Sequence, residues 1–154
     1  SQNLRNKISV LERQLQLSEK VVSELRIELS RQERILNVMQ SDEIRIVELK
    51  GQSTSPQASG KVYWSPDQHR AVFLAFNLPL PPLDKEYQLW MIRSGTQPVD
   101  AGIFSLTAQG SAVSVIDTIE DSLNLTAFAV TLEPQGGVPQ PTGDMYLLGT
   151  VPSG

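Results

Sequence analysis

The chain has 154 residues, which is enough for one ordinary domain with an appendage. Its net charge of −4 argues against a nucleic-acid-binding protein, whose surface would be basic. The absence of cysteine excludes disulfides, thiolate zinc sites and a cysteine nucleophile. No apolar run is long enough for a membrane helix, and the polar N-terminal segment lacks a signal-peptide pattern. Because the chain starts at Ser1 without methionine, we expect it to be a fragment of a longer protein.

Glycine and proline divide the chain into two parts. All ten glycines and all ten prolines lie after Lys50. A segment without these residues and with dense mixed charge is typical of a helix. In the remainder, glycine and proline recur at intervals typical of short strands joined by turns. We therefore predict a helical stalk over residues 1–41 and a β domain over residues 42–154.

The N-terminal segment is predicted to form one long helix over residues 3–40. Nine apolar residues, together with Ser18 and Gln32, recur at alternating spacings of four and three, which is the heptad pattern of a coiled coil. A lone helix roughly 55 Å long cannot bury such a stripe, so we expect a homo-oligomer joined through it. A helix folded back on its own domain is the alternative. The apolar seam consists of Leu4, Ile8, Leu11, Leu15, Val22, Leu25, Leu29, Leu36 and Met39.

The remainder of the chain is predicted to be mainly β. Seven or eight short strands separated by turn signals favour an antiparallel β-sandwich of immunoglobulin-like size, preceded by the coiled-coil helix. The strand at 87–92 is largely apolar on both faces, so it should be covered on both sides or lie centrally in a sheet. Residues 51–60 are polar and are predicted to form a flexible loop. The predicted strands are 43–50, 61–64, 70–76, 87–92, 100–106, 112–117, 125–132 and 145–151.

No catalytic or metal-binding constellation is visible. The single histidine, His69, lies in a turn signal and is expected on the surface. One histidine without cysteine cannot form a multi-histidine or thiolate metal site within one chain. Tyr87 and Trp90 are interpreted as core residues rather than as an aromatic binding surface. We therefore predict a protein that is not an enzyme and that has no cofactor or metal site.

Glu133 is the most informative carboxylate in the sequence. It ends an apolar strand and precedes Pro134 and the pair Gly136-Gly137. We expect it to be a buried acceptor for backbone N–H groups of its own loop and for the hydroxyl of Thr142. Recognition of a ligand or of a protease regulator at this glycine-rich loop is the alternative. The glycine pair is not a phosphate loop, because no Lys-Ser/Thr follows it.

Four sequence blocks, in order, resemble the C-terminal domain of RskA-type anti-sigma factors, the anti-sigma-K factor family. They are YQLW at 87–90, the segment 98–104 ending in AGIF, AVTLEPQGG at 129–137 and PTG at 141–143. The resemblance covers residues from about 43 to 151 and implies a mainly structural role for the motif residues. These are Tyr87, Gln88, Trp90, Gly102, Phe104, Thr131, Glu133, Pro134, Gly136, Gly137, Pro141, Thr142 and Gly143.

The resemblance implies a bacterial, non-catalytic regulatory domain on the outer face of the cytoplasmic membrane. In the family, a single membrane helix anchors this domain, and an N-terminal cytoplasmic domain binds a sigma factor that stepwise proteolysis releases. Both of those segments would lie outside this chain. The cytoplasmic domain would contact the sigma factor, and the membrane helix would contact the membrane.

An extracytoplasmic protease or regulator is a further expected partner. A long heptad helix is not a defining feature of the family pattern, so residues 1–40 would be a stalk between membrane and β domain. The alternative function is a generic ligand-binding or adhesive β-sandwich on an oligomeric coiled-coil stalk.

Overall fold

The computed structural model describes residues 1–120 and 122–152, so Asp121 and the last two residues of the predicted β domain lie outside the described residues. The chain divides into two compact units, Ser1–Leu36 and Asn37–Gly154. A single helix, α1 (Gln2–Met39), confirms the long helix predicted from the sequence. Its first turn is capped by the hydroxyl of Ser1, which accepts a hydrogen bond from the backbone N–H of Leu4 at 3.3 Å.

The apolar seam of α1 is accessible to solvent. Its nine residues are between 43% and 63% exposed. The structure of one chain therefore does not confirm the coiled coil, which stays a prediction. Within the described residues, no helix combines the length and apolarity that a bilayer crossing requires.

The second unit contains eight strands within the described residues, and all of the predicted strands are present with ends shifted by a few residues. A short 3-10 helix at Ser122–Asn124 precedes the seventh strand. The strands are β1 (Arg45–Gly51), β2 (Ser59–Ser65), β3 (Arg70–Phe76), β4 (Lys85–Arg93), β5 (Val99–Phe104), β6 (Ala112–Ile116), β7 (Leu125–Pro134) and β8 (Met145–Thr150).

These strands form one antiparallel sheet in the order β5-β4-β7-β8-β1-β2-β3-β6. The predicted sandwich is not confirmed, because β1 pairs with β8 through Lys50↔Leu148 and Gly51↔Leu147 and so joins two halves that a sandwich would keep as separate sheets. The edge strands β5 and β6 approach each other. The right-handed twist of strands makes such a wide sheet curl, and here it comes close to a barrel with its core inside.

Strand β4 is covered on both faces, as its sequence predicted. Tyr87, Leu89 and Met91 point into the apolar core. Gln88 and Trp90 point the opposite way and are nevertheless 1% and 0% exposed. Over Gln88 the second cover comes from the loop between β7 and β8, residues 135–143, which we call the covering loop.

The loop between β1 and β2 is tied to β8 at two points. The hydroxyl of Thr54 donates to the carbonyl of Met145 at 2.6 Å, and the hydroxyl of Ser55 donates to the carbonyl of Tyr146 at 2.8 Å. Ser55 is 6% exposed. These bonds fix the course of part of the segment 51–60, whose flexibility stays a prediction.

Candidate functional site

Two of the four sequence blocks meet on the outward face of β4 and β7. Antiparallel pairing places Glu86 opposite Glu133 and Gln88 opposite Thr131. Because side chains alternate along a strand, these residues share one face, opposite the face that lines the core. We call this surface the motif face. The covering loop, which carries the end of the third block and the whole of the fourth, hydrogen-bonds to it.

Glu133 is the centre of the motif face. Its side chain is 0% exposed. Its carboxylate accepts hydrogen bonds from the hydroxyls of Thr131 and Thr142 at 2.5 Å each, and from the backbone N–H groups of Thr142 and Gly143 at 3.1 Å. The bonds to Thr142 and to the loop backbone are the contacts expected for this carboxylate, and its structural role stays a prediction.

These hydrogen bonds also set the ionisation of Glu133. Burial raises the pKa of the carboxyl, but the hydroxyl and backbone donors of Thr131, Thr142 and Gly143 favour the charged form. The donors outweigh burial and hold the pKa of Glu133 below its usual value. The group is therefore a carboxylate at neutral pH, stabilised by donors rather than by a cation.

Trp90 extends this network into the sheet. Its indole Nε1–H donates to the hydroxyl of Thr131 at 2.8 Å, and that hydroxyl donates to Glu133. The three side chains form a directional chain of hydrogen bonds that ends on the carboxylate. Trp90 is 0% exposed, so it does not form an aromatic binding surface. Its indole N–H is satisfied, as is usual for a buried tryptophan.

Two residues of β4 also hydrogen-bond to the covering loop. The amide of Gln88 donates to the carbonyl of Val138 and accepts from its N–H, each at 3.0 Å. Glu86 accepts from the N–H of Gly136 at 2.9 Å. The sequence pointed to Glu133 but not to these two contacts. The available signal was a glutamine between apolar residues in a doubly covered strand, since a buried amide needs partners.

Three glycines of the motif serve close approach or special backbone geometry. A Cβ on Gly143 would overlap the carbonyl oxygen of Leu132. Gly137 has φ +81°, and a Cβ there would lie 2.9 Å from a methyl group of Ile103. Gly102 has φ 110° and stands at an irregularity in the β4–β5 pairing, where a β-bulge uses the conformational freedom of glycine.

The other motif residues lie in the core or on the surface. The rings of Tyr87 and Phe104 stack with centroids 5.9 Å apart, and both residues are buried in the core. The hydroxyl of Tyr87 donates to the carbonyl of Pro79 at 2.7 Å. Pro134 is exposed at the end of β7, and Pro141 is half-buried in the covering loop. The motif therefore combines core, clamp and turn positions rather than one pocket.

The described residues hold no cluster of three or more His, Cys, Asp or Glu side chains that could bind a metal ion. His69 lies exposed in the turn between β2 and β3 with φ 54°, as expected for a surface turn residue. Glu133 is enclosed, and its oxygens accept hydrogen bonds from donors of its own fold. The motif face thus joins the covering loop to the sheet by hydrogen bonds.

Comparison with known proteins extends over nearly the whole chain. Residues 8–151 match the family described as "Anti-sigma-K factor rskA, C-terminal", so the match begins within α1 and not near residue 43. An "Uncharacterized protein in phr 5'region" of Streptomyces griseus is 35% identical over 96 residues, which are 62% of this chain and 39% of that protein. The "Anti-sigma-K factor RskA" of Mycobacterium tuberculosis is 32% identical over 82 residues, 53% of this chain and 34% of that protein. The aligned part of this chain thus spans well under half the length of either relative. No solved structure matches the chain.

Proposed function

Because the chain belongs to the anti-sigma-K factor C-terminal family, we propose that it is the extracytoplasmic regulatory domain of a membrane-bound anti-sigma factor. In this proposal the parent protein binds a sigma factor through a cytoplasmic domain outside this chain. Regulated proteolysis of the parent then releases the sigma factor. The observation that carries the proposal is the family match over residues 8–151, which includes every motif residue discussed above.

The geometry of the motif face supports a non-catalytic role for the domain. Its one buried carboxylate, Glu133, is held by four donor groups of Thr131, Thr142 and Gly143. A general base needs a free lone pair within reach of a substrate proton. In this proposal the domain acts through contacts of its surface with partners, and its motif residues maintain the conformation of that surface.

The location of the domain is tested with reporter fusions to the full-length parent. Alkaline phosphatase is active only outside the cytoplasm, and β-galactosidase only inside it. Each enzyme is joined downstream of β8. The proposal expects an active phosphatase fusion and an inactive β-galactosidase fusion. The reverse pattern would reject an extracytoplasmic position.

The regulatory role is tested by co-purification. The tagged full-length parent is expressed with each alternative sigma factor of its own genome, with and without residues 42–154. We expect one sigma factor to bind both forms, because its binding site lies in another domain, and we expect only the intact form to release it under control of a signal. If no sigma factor is recovered with either form, the anti-sigma role is wrong.

We further propose that α1 joins copies of the chain into a parallel coiled coil. Seam residues such as Leu25, which is 63% exposed, would be covered by the same residues of another copy. Because the chain lacks cysteine, single substitutions provide a clean test. Leu25→Cys should form an intermolecular disulfide on mild oxidation, whereas Ile27→Cys, off the seam and 67% exposed, should not. Equal cross-linking of the two variants, or a monomer at tens of micromolar in sedimentation, would refute the coiled coil.

A further inference from the structure

The connection between β3 and β4 contains a proline segment, residues 78–83, with the sequence LPLPPL. Proline fixes φ near −65° and drives the preceding residue into an extended conformation. Pro79, Pro81 and Pro82 together restrict every residue from 78 to 82 in this way. The backbone of the segment is therefore biased towards a polyproline II helix before any partner binds.

The fold holds both ends of the proline segment. Leu78 is 3% exposed, and its N–H donates to the carbonyl of Gly110 at 3.0 Å. The carbonyl of Pro79 accepts from the hydroxyl of the buried Tyr87 at 2.7 Å. At the other end, Lys85 donates to the carbonyl of Pro82 at 3.0 Å and closes a turn. The segment is thus a fixed projection from the core.

Between these anchors the segment presents apolar side chains to solvent. Leu80 is 63% exposed and Leu83 is 100% exposed. Leu80 lies between Pro79 and Pro81, and Leu83 follows Pro82 in the turn that the Pro82–Lys85 bond closes. Phe76, at the end of β3 just before the segment, is 40% exposed. Isolated exposed leucines are common, but here they share a rigid segment rich in proline rings.

We propose that residues 78–83 are a ligand for a partner protein whose groove is lined by aromatic side chains. Such grooves bind proline rings and the apolar residues between them, and a segment biased towards its bound conformation loses less entropy on binding. A second copy of the chain is a poor candidate for this groove, because six of the nine aromatic residues are buried: Trp64, Phe73, Tyr87, Trp90, Phe104 and Phe128. The segment itself has no basic residue and precedes Asp84, which disfavours an anionic lipid surface.

The test starts with photo-crosslinking in the full-length parent in its native cells. A benzophenone amino acid replaces Leu83 or, as a matched control, Ile46, which is 49% exposed on β1. The proposal expects a protein cross-linked through Leu83 only, at a peptide that contains tryptophan, tyrosine or phenylalanine. That protein is then purified, and its affinity for the chain is measured by titration calorimetry.

The affinity measurement decides the proposal. Leu80→Asp and Leu83→Asp should each weaken binding at least tenfold, Ile46→Asp should leave it unchanged, and a peptide of residues 77–84 should compete. Because Leu83 is 100% exposed, Leu83→Asp should keep the melting temperature of the wild type, which separates loss of contact from loss of fold. Equal cross-linking at both positions, cross-links to lipid or to a second copy, or binding that is indifferent to both leucines would each overturn the proposal.

Discussion

Replacing Glu133 with alanine should destabilise the second compact unit, Asn37–Gly154, here called the β unit, because it removes a buried hydrogen-bond acceptor. The substitution removes the acceptor for two hydroxyls and two backbone N–H groups, which belong to Thr131, Thr142 and Gly143. Thr131 is 2% exposed, so its hydroxyl loses its acceptor in a site that water does not reach. Thr142 and Gly143 lie on the exposed covering loop and regain water when the loop moves.

The magnitude follows from that difference. A stranded buried donor costs about 1–3 kcal/mol, and each hydrogen bond to a charged acceptor contributes about as much. The exposed donors recover most of their loss in water, so we expect a total of about 3 kcal/mol for Glu133→Ala. For a unit of this size that corresponds to a fall in melting temperature of about 10–15 °C. Glu133→Gln should lose less, about 1–2 kcal/mol, because the amide keeps one acceptor oxygen.

Tryptophan fluorescence is the appropriate assay. Both tryptophans, Trp64 and Trp90, lie in the β unit, so thermal and urea unfolding followed by their emission report on that unit alone. Glu48→Ala is the matched control, because Glu48 is an exposed strand residue and its loss should change stability by less than about 0.5 kcal/mol. An unchanged melting temperature for Glu133→Ala, or an equal fall for Glu48→Ala, would refute the structural role of Glu133.

Three further predictions concern the same region. Gly143→Ala should lower the free energy of unfolding in urea clearly more than Gly95→Ala, because a Cβ at Gly143 meets a backbone carbonyl. A Cβ at Gly95, with φ +77°, meets open space, so that substitution adds only conformational strain of about 1–2 kcal/mol. Equal losses of stability would contradict the steric account. Since the pKa of Glu133 is lower in the folded state, its contribution to stability is present above the unfolded value of about 4.3 and is lost as the pH falls through the folded pKa. Between pH 6 and pH 3, the free energy of unfolding should therefore fall more steeply for the wild type than for Glu133→Gln. Parallel curves of stability against pH would argue against this linkage. Gln88→Ala should speed hydrogen exchange at the N–H of Val138, which loses its 3.0 Å acceptor, and unchanged protection there would show that the clamp does not hold the loop.

The sequence determined the local elements because their causes are local. A helix without glycine or proline and with apolar residues in a heptad repeat needs no distant contact to be recognised, and α1 (Gln2–Met39) ends within a residue of its predicted limits. Alternation and turn residues likewise located all eight strands. Glu133 was recognisable too, since a carboxylate that ends an apolar strand before a glycine-rich turn must find donors.

Pairing between distant segments was decided only by the tertiary structure. Alternation gives the inward face of a strand but not its neighbour, so the pairing of β1 with β8, which turns a predicted sandwich into one curled sheet, carried no local signal. The bonds between Gln88 and Val138, 50 positions apart, likewise depend on the pairing of β4 with β7, which alternation along each strand does not predict. The seam of α1 is the converse case: its heptads are explicit in the sequence, but the fold of one chain leaves the seam residues exposed. Their burial against another copy stays a prediction.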